Sequence, residues 1–120
     1  MDCIFCKIIN NEIPSKVIYE DEIVKVFLDV NPMSIGHMLI VPKTHFQDLV
    51  DIDERTLSHI YMVAKKMNNL VMEKLDTDGM TTIQNNGDPE EVKHFHVHIK
   101  PFYCDEKELS LDEVYDILTK

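Results

Sequence analysis

The hydrophobic and polar positions divide the chain into segments of two periods. "KVIYE" and "IVKVFLD" (residues 16–20 and 23–29) are β-branched and aromatic, with Asp21 and Glu22 between them, the pattern of a hairpin. "MLIVP" (Met38–Pro42) is a continuous apolar run, suited to a strand buried on both faces and so to a central one. Turn chemistry in "NPMSIGH" (Asn31–His37) precedes it. Between Asp53 and about Leu75 the positions Leu57, Ile60, Tyr61, Ala64, Met67, Val71 and Leu75 recur at three and four, tracing one face of a long helix. Asp51 or Asp53 can cap it, and Asp51 with Glu54 has capping-box spacing. "GMTTIQNNG" reads as turn, strand and loop, "HFHVHIKPFY" (His94–Tyr103) alternates as a strand, and "SLDEVYDILTK" is a short amphipathic helix starting at Ser110. Phe5 to Ile9 makes a short helical turn ending near Asn10 and Asn11. These elements predict an α+β fold, its sheet antiparallel and linked mostly by hairpins.

Length and charge narrow the functions open to such a fold. A chain of 120 residues is read as one domain, large enough to bury roughly two-thirds of its unfolded surface. A net charge of -10 argues against nucleic acid and against an anionic membrane surface. A nucleotide could bind only where donors gathered locally overcome that field. "MDCIFCKIINNE" has no long apolar run, so neither a secretory signal nor a bilayer span is expected. Three cysteines, two of them in a C-x-x-C pair, fit a reducing compartment, and the cytoplasm is the expected location.

The sharpest feature is "HFHVHIK". In a strand, His94, His96 and His98 share one face while Phe95, Val97 and Ile99 share the other. The apolar face belongs to the core; the imidazoles must meet water, ligand, metal or other polar groups. One metal cannot take all three, because same-face neighbours stand roughly 6.6 Å apart and the outer pair roughly 13 Å. Zinc lies only about 2 Å from an imidazole nitrogen, so two neighbours could chelate it and three in line could not. A set of merely satisfied or exposed histidines is the bland alternative, weakened because the row holds three of the chain's six. Neutral imidazole is a good nucleophile near neutrality, and a second one can hydrogen-bond phosphate or protonate a leaving group. The row therefore suits phosphoryl or nucleotidyl transfer.

On these residues the chain resembles the histidine triad family of nucleotide hydrolases and transferases, whose signature is H-φ-H-φ-H-φ-φ. "FCKIINNEIPSKVIYEDEIVKVFLDVNPMSIGHMLIVPKTH" is similar to the family's N-terminal half almost position by position. "QNNG" before the triad also fits, so the likeness runs from about residue 3 to 103, with the domain bounded at about 4–106. The resemblance implies a histidine triad (HIT) fold with an antiparallel five-stranded sheet, one long helix and short terminal helices. It also implies a homodimer in which that helix and a strand edge pair across a two-fold. His96 would be the nucleophile attacking the α-phosphorus, His98 the group that hydrogen-bonds phosphate oxygen, and His37 the histidine behind the triad. Asn85 and Gly87 take the phosphate-side amide and permissive loop, although "NNG" is a turn signal first. Asp29 takes the carboxylate that binds both ribose hydroxyls; Phe5, Ile8, Phe27, Leu28 and Val30 take the apolar lining of the base pocket, or are simply core.

Two departures stand out. Lys100 replaces the final φ, which argues for exposure at the strand's end. Glu90 and Glu91 replace the Gln and Ser of the well-studied branch, and the loop from Asn85 to His94 is shorter. Serine can donate to a leaving group and an ionised Glu cannot, so one Glu is expected to act as proton donor, to orient a leaving amine, or to shift substrate preference.

"CIFC" alone is a redox pair, half a zinc site or coincidence. The resemblance adds that some members hold a structural zinc between such a pair, a histidine after the "P-K" strand end and the first triad histidine. Those are Cys3, Cys6, His45 and His94 here, and Cys104 is read as an unpaired thiol. Three functions remain open on this reading. One is hydrolysis of purine nucleoside 5'-phosphoramidates or related nucleotidyl conjugates; the others are dinucleoside polyphosphate hydrolysis and a nucleotide-binding module with little catalysis.

Overall fold

Alternation along the sheet decides what each face covers. The computed structural model describes residues 3–120, so Met1 and Asp2, which head the segment read as lacking a signal, lie outside it. The chain order is α1 (Ile4–Ile9), β1 (Val17–Glu20), β2 (Val24–Leu28), β3 (Met38–Pro42), α2 (Glu54–Leu75), β4 (Gly79–Ile83), β5 (Val97–Phe102) and α3 (Leu111–Thr119). The five strands form one antiparallel sheet in the order β1-β2-β3-β5-β4. Every residue of β2 and β3 is buried, as the unbroken apolar run of β3 predicts.

One face carries Val24, Val26, Leu28, Met38, Ile40, Val97 and Ile99, packed against α2 and α3 in the main core. The other carries Phe27, Leu39 and Val41, packed against Phe5 and Ile8 of α1 in a smaller one. Leu39 pairs with His98 and Ile40 with Val97, so the imidazole of His98 belongs to the α1 face.

Several boundaries differ from the periodicity. Asp53 alone caps α2, its carboxylate accepting from the Thr56 N–H, while Asp51 accepts from the Gln47 N–H. The proposed Asp51–Glu54 box is absent, because Glu54 is already the first helical residue. On α2 the buried stripe is Ile60, Val63, Ala64, Met67, Val71 and Leu75; Tyr61 is 45% exposed and Val63 takes its place. The buried positions centre near Ile60 on the helical wheel, roughly 100° from position 61 but only roughly 60° from 63. Ser110 caps α3 with a complete capping box to Glu113. The bonded strand β5 begins only at Val97, so His94 to His96 form an approach to it rather than its first half.

Two polar contacts fix the periphery. Lys25, buried on the α1 face, donates to the Ile8 carbonyl and to Asn11 Oδ1 at 2.9 Å each, fastening the C-terminal end of α1 to the sheet. Such a cation satisfies the unpaired carbonyls of a helix end. Asp21, in the β1–β2 turn, accepts from the Ile23 and Val24 N–H groups at 2.8 Å and from Tyr19, and lies 2.7 Å from His59 Nε2 on α2. No helix among the described residues is long and apolar enough to cross a membrane.

Burial alone would raise the Asp21 carboxyl, but the backbone donors, His59 and Tyr19 outweigh it and hold it well below its ordinary range. A group depressed in the folded state contributes stability above its unfolded pKa, and loses it as pH falls through the folded value. Asp21→Ala should therefore lower stability by about 1–3 kcal/mol near neutrality, the cost of orphaned donors. Urea melts should show the gap between wild type and variant closing in acid below about pH 4, the unfolded carboxyl's range. A gap constant down to strong acid would assign the loss to packing instead.

Candidate functional site

Helix α1 lies over the approach to β5, and the histidines meet its underside rather than solvent. Phe5 packs edge-on against His94 and His96, with ring centroids 5.9 and 5.0 Å away. His94, His96 and His98 are all buried, and so is His37. Each buried ring nitrogen needs a partner, and the partners settle the tautomers.

His94 and His96 are each fixed by a carbonyl. A carbonyl oxygen only accepts, so His94 Nε2, 2.8 Å from the Pro42 oxygen, carries hydrogen. Its Nδ1 lone pair then faces Cys3 Sγ at 3.3 Å, Cys6 Sγ at 3.6 Å and His45 Nδ1 at 3.0 Å. Likewise His96 Nδ1, 2.7 Å from the His94 carbonyl, carries hydrogen, which leaves Nε2 as the atom directed toward the cleft.

The second chain starts at a backbone donor. The Met33 N–H donates to His37 Nδ1 at 3.0 Å, so His37 holds its hydrogen on Nε2 and donates to His98 Nδ1 at 3.0 Å. His98 in turn holds hydrogen on Nε2, aimed at Glu91 Oε1 at 3.1 Å. Gly36, at φ +89°, makes the turn into His37, where a Cβ would stand 2.8 Å from Leu75 Cδ1. Burial pushes His37 and His94 down to about 4 and lowers His98 as well, which keeps these rings neutral.

Cys3, Cys6, His45 and His94 form one cluster whose ligand atoms all lie within 4.8 Å of one another. Cys6 Sγ stands 3.2 Å from His45 Nδ1. In tetrahedral zinc, sulfur–nitrogen edges are roughly 3.6 Å and nitrogen–nitrogen edges roughly 3.3 Å, given the usual bond lengths. The donor set and its spacing fit that ion. The Pro42 carbonyl supplies the outer hydrogen bond that a ligating imidazole needs. Burial, with the Cys3 sulfur beside it, raises the Cys6 thiol to about 11, the cost of crowding sulfurs that a cation would relieve. Cys104 is exposed and free.

Beside this cluster opens a cleft of about 450 Å³, lined among others by Phe5, Asp29, His37, Glu91, His96 and His98. The structure thus brings together His37, His96, His98, Asp29 and Glu91. Asn85 reaches the group through Nδ2, which donates to Glu91 Oε1 at 3.1 Å, while Gly87 (φ +74°) sits in an open loop with nothing within 4 Å of where a Cβ would stand. Of the five apolar residues expected at a base, Phe5 alone lines this cleft. Ile8 and Phe27 fill the core beneath α1, and alternation turns Leu28 to the α2 side. Val30, just past the strand end, is 73% exposed beside a separate hollow shared with Pro14, Lys16 and Leu111. Lys100 also borders the cleft, half-buried.

Sequence reasoning missed Lys25, the Pro42 carbonyl and the Met33 N–H. The two backbone groups leave no signal in residue type; Lys25 left one, a single charge inside an apolar strand.

The model of the HIT domain matches residues 10–103. A HIT-like protein of Methanocaldococcus jannaschii is 48% identical over 103 residues, 84% of this chain and 79% of that protein. An adenosine 5'-monophosphoramidase of Saccharomyces cerevisiae is 43% identical over 101 residues, 82% of this chain and 61% of its own length. A zinc-bound histidine triad family protein from Mycobacterium smegmatis superposes with a TM-score of 0.91 at 31% identity, covering 99% of this chain and 91% of that one.

The cluster predicts that protein purified without chelator carries about one zinc per chain, and that Cys6→Ser loses both the metal and thermal stability. Elemental analysis with melting curves in and out of EDTA checks this. Less than about half an equivalent, with melting indifferent to EDTA, would reject a zinc site of this kind.

Proposed function

The chain belongs to the histidine triad (HIT) family, and from that premise we propose that it hydrolyses purine nucleoside 5'-phosphoramidates or related nucleotidyl conjugates through a nucleotidyl-histidine on His96. The observation that carries this reading is the commitment of His96 Nδ1 to the His94 carbonyl, which leaves Nε2 as the only nitrogen able to attack. The Asp29 carboxylate accepts the two ribose hydroxyls. The base rests on the apolar wall that Phe5 gives the cleft, the one of the five expected residues that lines it. His98 Nε2 and Asn85 Nδ2 donate to oxygens of the α-phosphate, with the open Gly87 loop giving room. His37 holds the tautomer of His98.

In the first step the bond from Nε2 to phosphorus forms and the bond from phosphorus to the leaving amine breaks. The hydrogen that Nε2 shares with Glu91 Oε2 first passes to that carboxylate, which bares the Nε2 lone pair for attack, and Glu91 then gives it to the departing nitrogen. Water then cleaves the nitrogen–phosphorus bond, freeing the nucleoside monophosphate and the imidazole. The Cys3, Cys6, His45, His94 site holds a structural zinc that takes no part in these steps and fixes the approach to β5.

The acidic rim of the cleft separates the rival substrates. Asp29, Asp88, Glu90 and Glu91 line it against Lys100, which disfavours a highly anionic dinucleoside polyphosphate and suits an amine leaving group. The relative named as a monophosphoramidase agrees with that preference. The protein also pairs as a homodimer, through Tyr61, Met62 and Met72 on the outer face of α2 and the free edge of β4.

Brief mixing with an adenosine phosphoramidate should give an intact-mass adduct of one adenylyl group, absent in His96→Ala. That variant should lose turnover by more than about a thousandfold while retaining AMP binding, the scale of removing a covalent nucleophile. Wild type without turnover on any nucleotidyl amide or anhydride would favour the binding-module reading. Sedimentation equilibrium should give twice the chain mass; a stable monomer at micromolar concentration removes the dimer.

A further inference from the structure

Three donors converge beside His96, and one of the protein's own carboxylates fills the point of convergence. Asn85 Nδ2 and His98 Nε2 each lie 3.1 Å from Glu91 Oε1, and His96 Nε2 lies 2.9 Å from Glu91 Oε2. The hydrogen on His98 Nε2 follows from the chain running through His37 to the Met33 N–H, so it donates. An ionised carboxylate accepts only, and here it offers one oxygen to each side of the pair of imidazoles. Burial would raise the Glu91 carboxyl, but the hydrogen bond and charge of His96, followed by those of His98, outweigh it and lower it. The resident group is therefore an anion held by the same three side chains that the proposed function gives to an α-phosphate.

The geometry points to Glu91 as a specificity-determining side chain that occupies the phosphate seat of the free protein and must be displaced by an incoming nucleotide. This rests on the function proposed above and deepens it. Two negative groups cannot share three donors, so a phosphate enters only by driving the carboxylate out. Free phosphate has nothing with which to offset that exchange. A nucleoside monophosphate has its ribose on Asp29 and its base on the apolar wall, so the occupied seat selects nucleotides over small anions. Exit is open to Glu91: its side chain is one-quarter exposed, on a turn closed by bonds from the Glu91 and Glu90 N–H groups to Asp88. Once displaced, it stands on the rim with Asp88 and Glu90, where a leaving amine departs.

The rival reading makes Glu91 a brace that holds the two rings in place. The two readings predict opposite signs. Calorimetric titration of zinc-loaded wild type, Glu91→Gln and Glu91→Ala with AMP, adenosine and inorganic phosphate tells them apart. For an occupant, both variants bind AMP about tenfold more tightly and bring phosphate binding into range, while adenosine affinity stays within about twofold. On a phosphoramidate substrate, KM falls in both variants and kcat falls with it, since the proton relay is lost. AMP affinity that is unchanged or weakened, or adenosine affinity moving in parallel with AMP, overturns the inference. Wild type that binds neither AMP nor adenosine overturns the nucleotide reading itself. Wild type that binds both, with variants that do not differ from it, removes only the role of Glu91. Melting curves confirm that both variants are folded before titration.

Discussion

The 2.8 Å bond from His94 Nε2 to the Pro42 carbonyl is the contact on which the rest of the site depends. It ties the end of β3 to the approach to β5 and decides which nitrogen of His94 faces the cysteines. Without it, the cluster could meet an N–H instead of a lone pair, and four potential ligands would include a donor that repels cations. The His94 carbonyl in turn fixes His96, so two hydrogen bonds, one to the side chain and one to the backbone of His94, set the direction of both rings. The Cys/His cluster and the ring proposed as nucleophile are thus joined through the backbone from His94 to His96.

The row of imidazoles is not repeated chemistry. Its members are made different by what lies behind each ring: a strand-end carbonyl for His94, a local carbonyl for His96, a second imidazole for His98. All sit out of water, where proton positions are determined by geometry rather than by solvent exchange, and burial keeps His94 and His98 neutral. Identical side chains at period two thereby present a lone pair to the cysteines, a ring nitrogen to the cleft and an N–H to Glu91. The same placement lets an acidic protein present an anion seat built from ring N–H groups. Directed N–H dipoles do the work that lysines would do elsewhere, and the Asn85 amide adds one more.

Much of this was legible in the residues. β3 announced itself as central because an unbroken apolar run has no solvent face to offer. Residues 94–99 gave the side each ring takes, because period two survives even where the ladder bonds have not yet begun. The cluster of Cys3, Cys6, His45 and His94 followed from resemblance and closes in the structure with suitable spacing. Three features were not legible. Tyr61 and Val63 exchange places on α2 because a 3.6-residue period fixes a stripe but not its centre. Leu28, Phe27 and Val30 look alike in sequence, yet a strand end sends them to core, inner face and solvent. The contact of Glu91 with both imidazoles spans a loop, and nothing local to "PEEVK" encodes which carboxylate turns inward.

Helix α1 has only six residues, too short to hold its shape by its own bonds, and it is anchored at both ends by unlike means. Its leading end rests on the cysteine cluster and its trailing end on Lys25. The consequence is a hinge of unequal pins. Stripping a metal or oxidising the sulfurs would loosen the leading end, and Phe5 with it, while the ammonium keeps the other end docked on the sheet. The roof over the triad would then swing rather than detach, and damage at the sulfurs would reach the cleft as a change of shape before it reached the fold as a loss of stability.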